Sequence, residues 1–357
     1  MNKYSRINKS VIFFGFIFSV TVGFFLSVYC IGKINSNKEA LIKTNDKSLK
    51  SLPPPEISGW IAWWKEDQAY DMLQRNPGKI TSVSPVWFMV GRNIILEESG
   101  KVDREKTIAD LSKLNVIVIP TLGSELTGKE ISPLFNNGAK TDNFIENLVK
   151  KLTLLGVSGI DIDLEGVESE DRNAFLNFLT KLSQQLKKNN LELIVTIHAQ
   201  TQNVEWQGVL GQDLRGIGEI ADLVRIMTYD KHSSSTEPGS IAPIKWKDDV
   251  VQYNSGLINK EKIVIGIPSY GYIWEDNGNS KGLQYDEFHV FLGGKNYTES
   301  RDDESSELNF KSDGFTGWLS DSESMTAKIK SLRMKGFNKF VIWHLGGMDG
   351  KFFDNVW

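Results

Sequence analysis

Three carboxylates, Asp161, Asp163 and Glu165, stand at alternate positions in the run Ser158-Gly159-Ile160-Asp161-Ile162-Asp163-Leu164-Glu165. Alternate residues of a strand point to one side, so the three acids share a face and Ile160, Ile162 and Leu164 share the other. The apolar face implies packing, which makes this an interior strand and not a solvated ribbon. Ionised acids side by side in such a place repel one another and are costly to desolvate. A purely structural role is therefore hard to defend, and the pattern predicts a catalytic or metal-binding strand.

Such a strand has to be held by others. Short β-prone runs at 60–64, 80–90, 116–122, 159–165, 191–198, 223–229, 262–268 and 340–343 alternate with segments of helical period. Helices are expected over 104–114, 142–155 and 171–188. Ile145, Leu148, Leu152 and Leu155 form one apolar stripe, and Phe175, Phe178, Leu179, Leu182 and Leu186 another. Gly156 sits where a helix should stop. Eight strand–helix units in this length predict an α/β fold, a TIM (β/α)8 barrel, with catalytic groups at the C-terminal ends of the strands, where Glu165 falls. The interval from Trp274 to Phe340 is too long for one connection, so a small insertion between strands 7 and 8 is expected before a last helix at 324–335.

The acidic run resembles the D-G-x-D-x-D-x-E signature of glycoside hydrolase family 18, the chitinase-type glycosidases, with Ser158 in place of the first Asp. Position 158 has opposite parity to the acids, so that departure should leave the acid face intact. Further stretches resemble the family in order: Trp60-Ile61-Ala62-Trp63-Trp64, Ser84-Pro85-Val86-Trp87-Phe88, Met227-Thr228-Tyr229-Asp230, Ile265 to Gly271, and Ile342-Trp343-His344-Leu345-Gly346. The resemblance implies substrate-assisted chemistry, in which the sugar's own 2-acetamido oxygen attacks the anomeric carbon. It implies Glu165 as general acid and then base, Asp163 as the group that orients the acetamido N–H, and Asp161 sharing a proton with Asp163. Tyr229 would donate to the acetamido oxygen and Trp343 would floor the sugar site. Met227 and Asp230 would complete its wall, with Trp60 a further sugar contact. His198 ends a strand and has either a cleft-facing or a structural reading. No cofactor or metal is implied, and the histidines lack metal-ligand spacing.

Charge is unevenly spread. Residues 1–50 carry eight Lys or Arg against two acids, which leaves −10 on the remainder of a chain whose formal charge is −4. An acidic folded part argues against a nucleic-acid partner. The single cysteine, Cys30, does not identify a compartment. A basic leader (1–9) precedes an uncharged apolar run (10–31), long enough to cross a bilayer as a single anchor, with a cleaved signal peptide as the other reading. A polar, Lys-rich linker (32–57) ending in Pro53-Pro54-Pro55 follows, and the barrel should occupy 58–357. The expected location is the cell membrane with the barrel outside, or secretion after cleavage, as a monomer.

The expected substrate is a polysaccharide containing β-linked N-acetylglucosamine, whether chitin, the glycan strand of peptidoglycan or an N-linked glycan. Two other functions fit parts of the sequence. One is a lectin-like barrel without turnover, whose usual mark is loss of the acid–base glutamate. The other is a metal-dependent hydrolase that uses the three acids as oxygen ligands.

Overall fold

The computed structural model of the protein describes Leu49, residues 51–203 and residues 207–356. The leader, the apolar run 10–31 and most of the linker lie outside these residues. Among the described residues no helix is long and apolar enough to cross a membrane.

The strands follow in order: β1 (Glu56–Ile61), β2 (Ser82–Gly91), β3 (Thr121–Ser124), β4 (Gly159–Ile162), β5 (Glu192–His198), β6 (Leu223–Met227) and β7 (Ile263–Pro268). Then come β8 (Tyr270–Glu275), β9 (Ser280–Gln284), β10 (Thr298–Arg301), β11 (Leu308–Ser312), β12 (Phe315–Leu319) and β13 (Lys339–Trp343). Strands β1 to β7 and β13 pair in parallel with their neighbours. The ring closes because β1 pairs with both β2 and β13, Ser58 opposing Ser82 on one side and Val341 on the other. Helices α1 (Glu66–Arg75), α2 (Arg104–Lys113), α3 (Gly138–Leu155), α4 (Arg172–Lys188), α5 (Leu214–Ile220) and α6 (Ile244–Ser255) cover the ring. With α7 (Tyr285–Leu292) in the insertion and α8 (Ser322–Met334) before β13, this is an eight-stranded α/β barrel.

Local sequence explains the helix that delivers the acidic strand. Asn137 caps α3 by accepting the Lys140 N–H, and Gly156 ends it in the left-handed conformation, φ 68°, which glycine adopts at little cost. Phe144, Ile145, Leu148 and Leu152 are buried along one side and pack with the α4 stripe and with Ile160, Ile162 and Leu164. Each such side chain taken from water contributes about 1.5–3 kcal/mol. This outer packing fixes the parity of β4, so Asp161 has to point into the ring.

Three expectations need correction. The first strand runs over 56–61, not 60–64: Glu56 and Ile57, read as linker, pair with Lys339 and Phe340. Trp63, Trp64 and Lys65 form a single 3-10 turn beyond it, with both indoles about half exposed. Strand β4 ends its pairing with β5 at Ile162, although the Asp163 N–H still donates to the Leu122 carbonyl at 2.9 Å.

The insertion is larger than a loop. Strands β8 to β12 make an antiparallel sheet with α7 against it, enclosing a core of Ile273, Phe288, Leu292, Phe310, Phe315 and Leu319. Glu307 of the insertion is fully buried and accepts from the Ile241 and Ala242 N–H groups at 2.9 and 3.1 Å, in the segment between β6 and α6. It also pairs at 3.0 Å with Lys328 of α8, whose side chain is equally enclosed. Glu307→Ala leaves that ammonium buried without its counter-ion. A loss of about 3–5 kcal/mol is expected in denaturant unfolding, against little for a rim pair such as Lys245–Asp249.

Candidate active site

The site is built upward from the barrel floor. Asp161 is 0% exposed and accepts four hydrogen bonds, one from each of four other strands. Trp60 Nε1 (2.8 Å), Thr121 Oγ1 (3.0 Å) and an Arg225 Nη (2.7 Å) converge on Oδ2, while Thr196 Oγ1 (2.8 Å) reaches Oδ1. The same Arg225 nitrogen donates to Ser84 Oγ at 2.7 Å, and the guanidinium lies 5.0 Å from the Trp60 ring centre. Arg225 and Asp161 thus form a buried, hydrogen-bonded ion pair.

Above them, Asp163 is partly buried, and its Oδ1 is buried with no hydrogen-bond partner among the described residues. Burial pushes this carboxyl well above the usual range, the charges of Glu165 and Asp161 add to the rise, and Arg225 opposes it. Its protonated form is favoured by that burial more than a free carboxyl's would be. Glu165 stands at the mouth with its side chain 56% exposed. Partial exclusion of water by the surrounding wall raises it too.

His198, at the end of β5, places Nε2 3.3 Å from the Glu165 carbonyl and 3.8 Å from its carboxylate. Burial holds this imidazole down to about 4. It is a neutral neighbour of Glu165 at pH 7 and not its counter-ion, and since a carbonyl only accepts, Nε2 carries the hydrogen.

Tyr229 lies just past β6, 8% exposed. Burial, then the negative charge of Asp163, Asp230 and Glu165, raises its phenol well above 10, so it stays a donor. Its place depends on Gly266, where a Cβ would stand 2.9 Å from the Tyr229 ring and 2.7 Å from the Ile226 carbonyl. Lys247, buried, ties the same end of β6 to β7 by donating to the Thr228 and Gly266 carbonyls at 3.0 and 2.9 Å. Asp230 follows in the left-handed region, φ 59°, which non-glycine residues rarely occupy. Tyr270 donates to its carboxylate, and burial raises that group. Backbone strain at this point re-aims the chain into the cleft wall.

Glu165, His198, Met227, Tyr229 and Asp230 line one cavity of about 620 Å³, walled further by Gln200, Thr201, Ser233, Thr236 and Trp246. Trp343 is half-buried beside it, packed with Met227, Tyr229 and Tyr270. A larger groove of about 820 Å³ lies between α3 and α4 on the barrel's outside, far from these acids in the fold.

Trp60 is a correction. Expected against the sugar, it is 1% exposed beneath Trp343, 5.7 Å away in an edge contact, and its indole N–H is spent on Asp161. Aromatic type does not separate stacking from packing. Arg225, Thr121 and Thr196 were not singled out from sequence. For Arg225 a signal existed: it is the one charge within Leu223-Val224-Arg225-Ile226-Met227, with the parity of Tyr229. A strand residue of that parity faces the ring interior, and a charge there requires a partner.

His344 adds a pH prediction. It is 1% exposed, near Gln284 Nε2 at 2.9 Å, and burial lowers it to about 4. Unfolded, it binds a proton below about 6.5. Its stabilising contribution is present above that value and declines as pH falls toward 4, with a slope of about 1.4 kcal/mol per unit. His344→Gln should flatten the wild-type loss of stability between pH 6.5 and 4 in paired unfolding curves.

A parallel barrel with raised carboxyls at the strands' C-terminal mouth, beside an open cleft, is the arrangement of a barrel enzyme. The model of glycosyl hydrolases family 18 matches residues 60–349. The chain belongs to that family. An uncharacterized glycosylase, YvbX, of Bacillus subtilis (strain 168) is 32% identical over 49% of this chain and 50% of its own. A cortical fragment-lytic enzyme of Bacillus anthracis is 26% identical over 60% of this chain and 52% of its own. The chain thus spans about half the length of these curated relatives. Among solved structures, a chitinase from Chromobacterium violaceum ATCC 12472 superimposes with TM-score 0.76 at 23% identity, covering 85% of this chain and 98% of that one.

Proposed function

We propose that the protein is a retaining glycosidase that cleaves β-linked N-acetylglucosamine polymers with the substrate's own amide as nucleophile. The observation that carries this reading is the buried, unpartnered Oδ1 of Asp163, set between the filled Asp161 and the mouth-facing Glu165. A buried acceptor left without a partner costs about 1–3 kcal/mol unless something meets it. The N–H of a 2-acetamido group does. Tyr229 donates its O–H to the acetamido oxygen and holds that oxygen under the anomeric carbon.

Glu165 then gives its proton to the glycosidic oxygen as that bond breaks and the acetamido oxygen bonds the anomeric carbon. Asp163 passes the proton it shares with Asp161 to that neighbour and, adjacent to a cationic ring, is stabilised as a carboxylate. Glu165, left ionised, takes a proton from water, which attacks the anomeric carbon on the face the leaving group left, breaks its bond to the acetamido oxygen and restores the amide. The metal-ligand reading is disfavoured by the donor set: Asp161 spends both oxygens on donors inside the ring, so the three acids do not turn their oxygens to one point.

The substrate class follows the shared chemistry of the names above, since chitin and the peptidoglycan glycan both carry β-linked 2-acetamido sugars. The apolar run 10–31 supports a tether that holds the barrel outside the membrane, where either polymer lies. The test is incubation of the protein with chitin oligomers and with purified wall glycan, products being identified by mass and anomer by NMR. Cleavage with retained configuration is expected. Equal cleavage of glucose polymers lacking the N-acetyl group would defeat the amide mechanism.

A further inference from the structure

The end of β6 leaves its neighbour just before Tyr229. Pairing with β7 stops at Ile226 opposite Ile265, and the Thr228 N–H turns back to the Ile226 carbonyl at 2.9 Å. Beyond that point side chains take over the contact between the strands. Thr228 Oγ1 donates to the Gly266 carbonyl at 2.7 Å. Lys247 Nζ, reaching across from α6, donates to the same carbonyl at 2.9 Å and to the Thr228 carbonyl at 3.0 Å, with Thr228 Oγ1 as its third contact. Lys247 is 1% exposed and Thr228 0%, so carbonyls at this depth depend on protein donors.

Burial and the Lys328 charge press Lys247 toward the neutral amine, against Glu307 and Asp248. An amine keeps two N–H bonds, one for each carbonyl, so the tie holds in either form. The next residue is Tyr229. Its ring lies 2.9 Å from where a Gly266 Cβ would stand and meets Tyr270 edge-on, ring centres 6.2 Å apart.

We propose that Lys247 is a positioning residue for the reaction: by holding the Thr228 carbonyl against β7, it fixes the peptide that leads into Tyr229 and so the aim of the phenol. It is absent from the lining of the cleft, and acts only through its neighbours. The inference rests on the reading of Tyr229 as donor to the acetamido oxygen. A misplacement of about 1 Å in such a group costs on the order of 100-fold in rate.

The experiment is a double-mutant cycle on the full chain, with kcat and KM measured on a chromogenic N-acetylglucosamine oligomer glycoside. Lys247→Met keeps the length of the side chain and removes its N–H groups. It should lower kcat by about 10- to 100-fold and change KM by less than about threefold. In a Tyr229→Phe chain, itself slowed, the same substitution should cost less than about twofold more, because the hydroxyl it aims is already gone. Leu182→Ala opens a cavity in the outer packing of α4 and lowers the unfolding midpoint. It should leave kcat in place in both chains, which separates loss of aim from loss of stability.

An unchanged kcat for Lys247→Met, an equal fall in both backgrounds, or the same coupling from Leu182→Ala would overturn the assignment and leave Lys247 a structural tie. If Lys247→Met does not fold, Thr228→Val, which deletes the hydroxyl shared by Lys247 and Gly266, is read in the same cycle by the same criteria. The two readings fail separately. A Tyr229→Phe chain as fast as wild type removes the phenol from the mechanism and this inference with it, whereas a slowed one with additive effects removes only this inference.

Discussion

Glu165→Gln lowers kcat by about 100- to 10,000-fold while sugar binding survives; that is the expected result, and its size follows from what general acid–base groups ordinarily contribute. The amide keeps the shape and the hydrogen-bonding reach of the carboxyl at the cleft mouth. It has no proton to give to the glycosidic oxygen and no basic oxygen to take one from water. His198 cannot substitute, since burial holds it near 4 and leaves it a weak base whose Nε2 is turned to the Glu165 carbonyl. The measurement is single-turnover hydrolysis beside calorimetric binding of an N-acetylglucosamine oligomer. Unchanged hydrolysis would remove Glu165 from the mechanism, and loss of binding together with turnover would point to collapse of the cleft wall.

Asp163→Asn should cost about 100- to 1,000-fold in kcat, the scale of removing one preorganised electrostatic partner from a reacting centre. The same change should make the protein more stable at neutral pH. The folded-state carboxyl is raised well above 3.8, chiefly by burial, so the folded chain binds a proton that the unfolded chain has already lost. Stability from this group is complete below about 3.8 and declines as pH rises toward the folded value. Asparagine has no such titration. A variant with a higher midpoint in thermal unfolding at pH 7 and a flatter pH dependence above 4, yet a crippled rate, fits a site that stores destabilisation for function. A variant both less stable and less active would indicate that Asp163 is mainly a packing residue.

Much of this arrangement was legible from the chain because one period governs it. In β4, strict alternation assigned Ile160 and Ile162 to the helices and Asp161 to the ring, and the structure keeps that parity. Glu165 at a strand's C-terminal end followed from the same count. The insertion was legible only as excess length: Thr298–Arg301 reads Thr-Glu-Ser-Arg, with no apolar alternation to mark a strand. Trp60 was misplaced because a large ring serves equally as core and as platform. Arg225 escaped because a charge in an apolar run reads as noise until its partner, sixty-four positions away, is known.

The ring is joined by its first and last staves, with Ser58 Oγ donating to the Phe340 carbonyl across 282 positions of sequence. A polypeptide halted or clipped anywhere ahead of Lys339 therefore lacks the closing piece, and β1 and β7 are left as bare margins with unsatisfied amides. Products that stop short of that segment should be inert and prone to clump, because the ring has no other strand to close it.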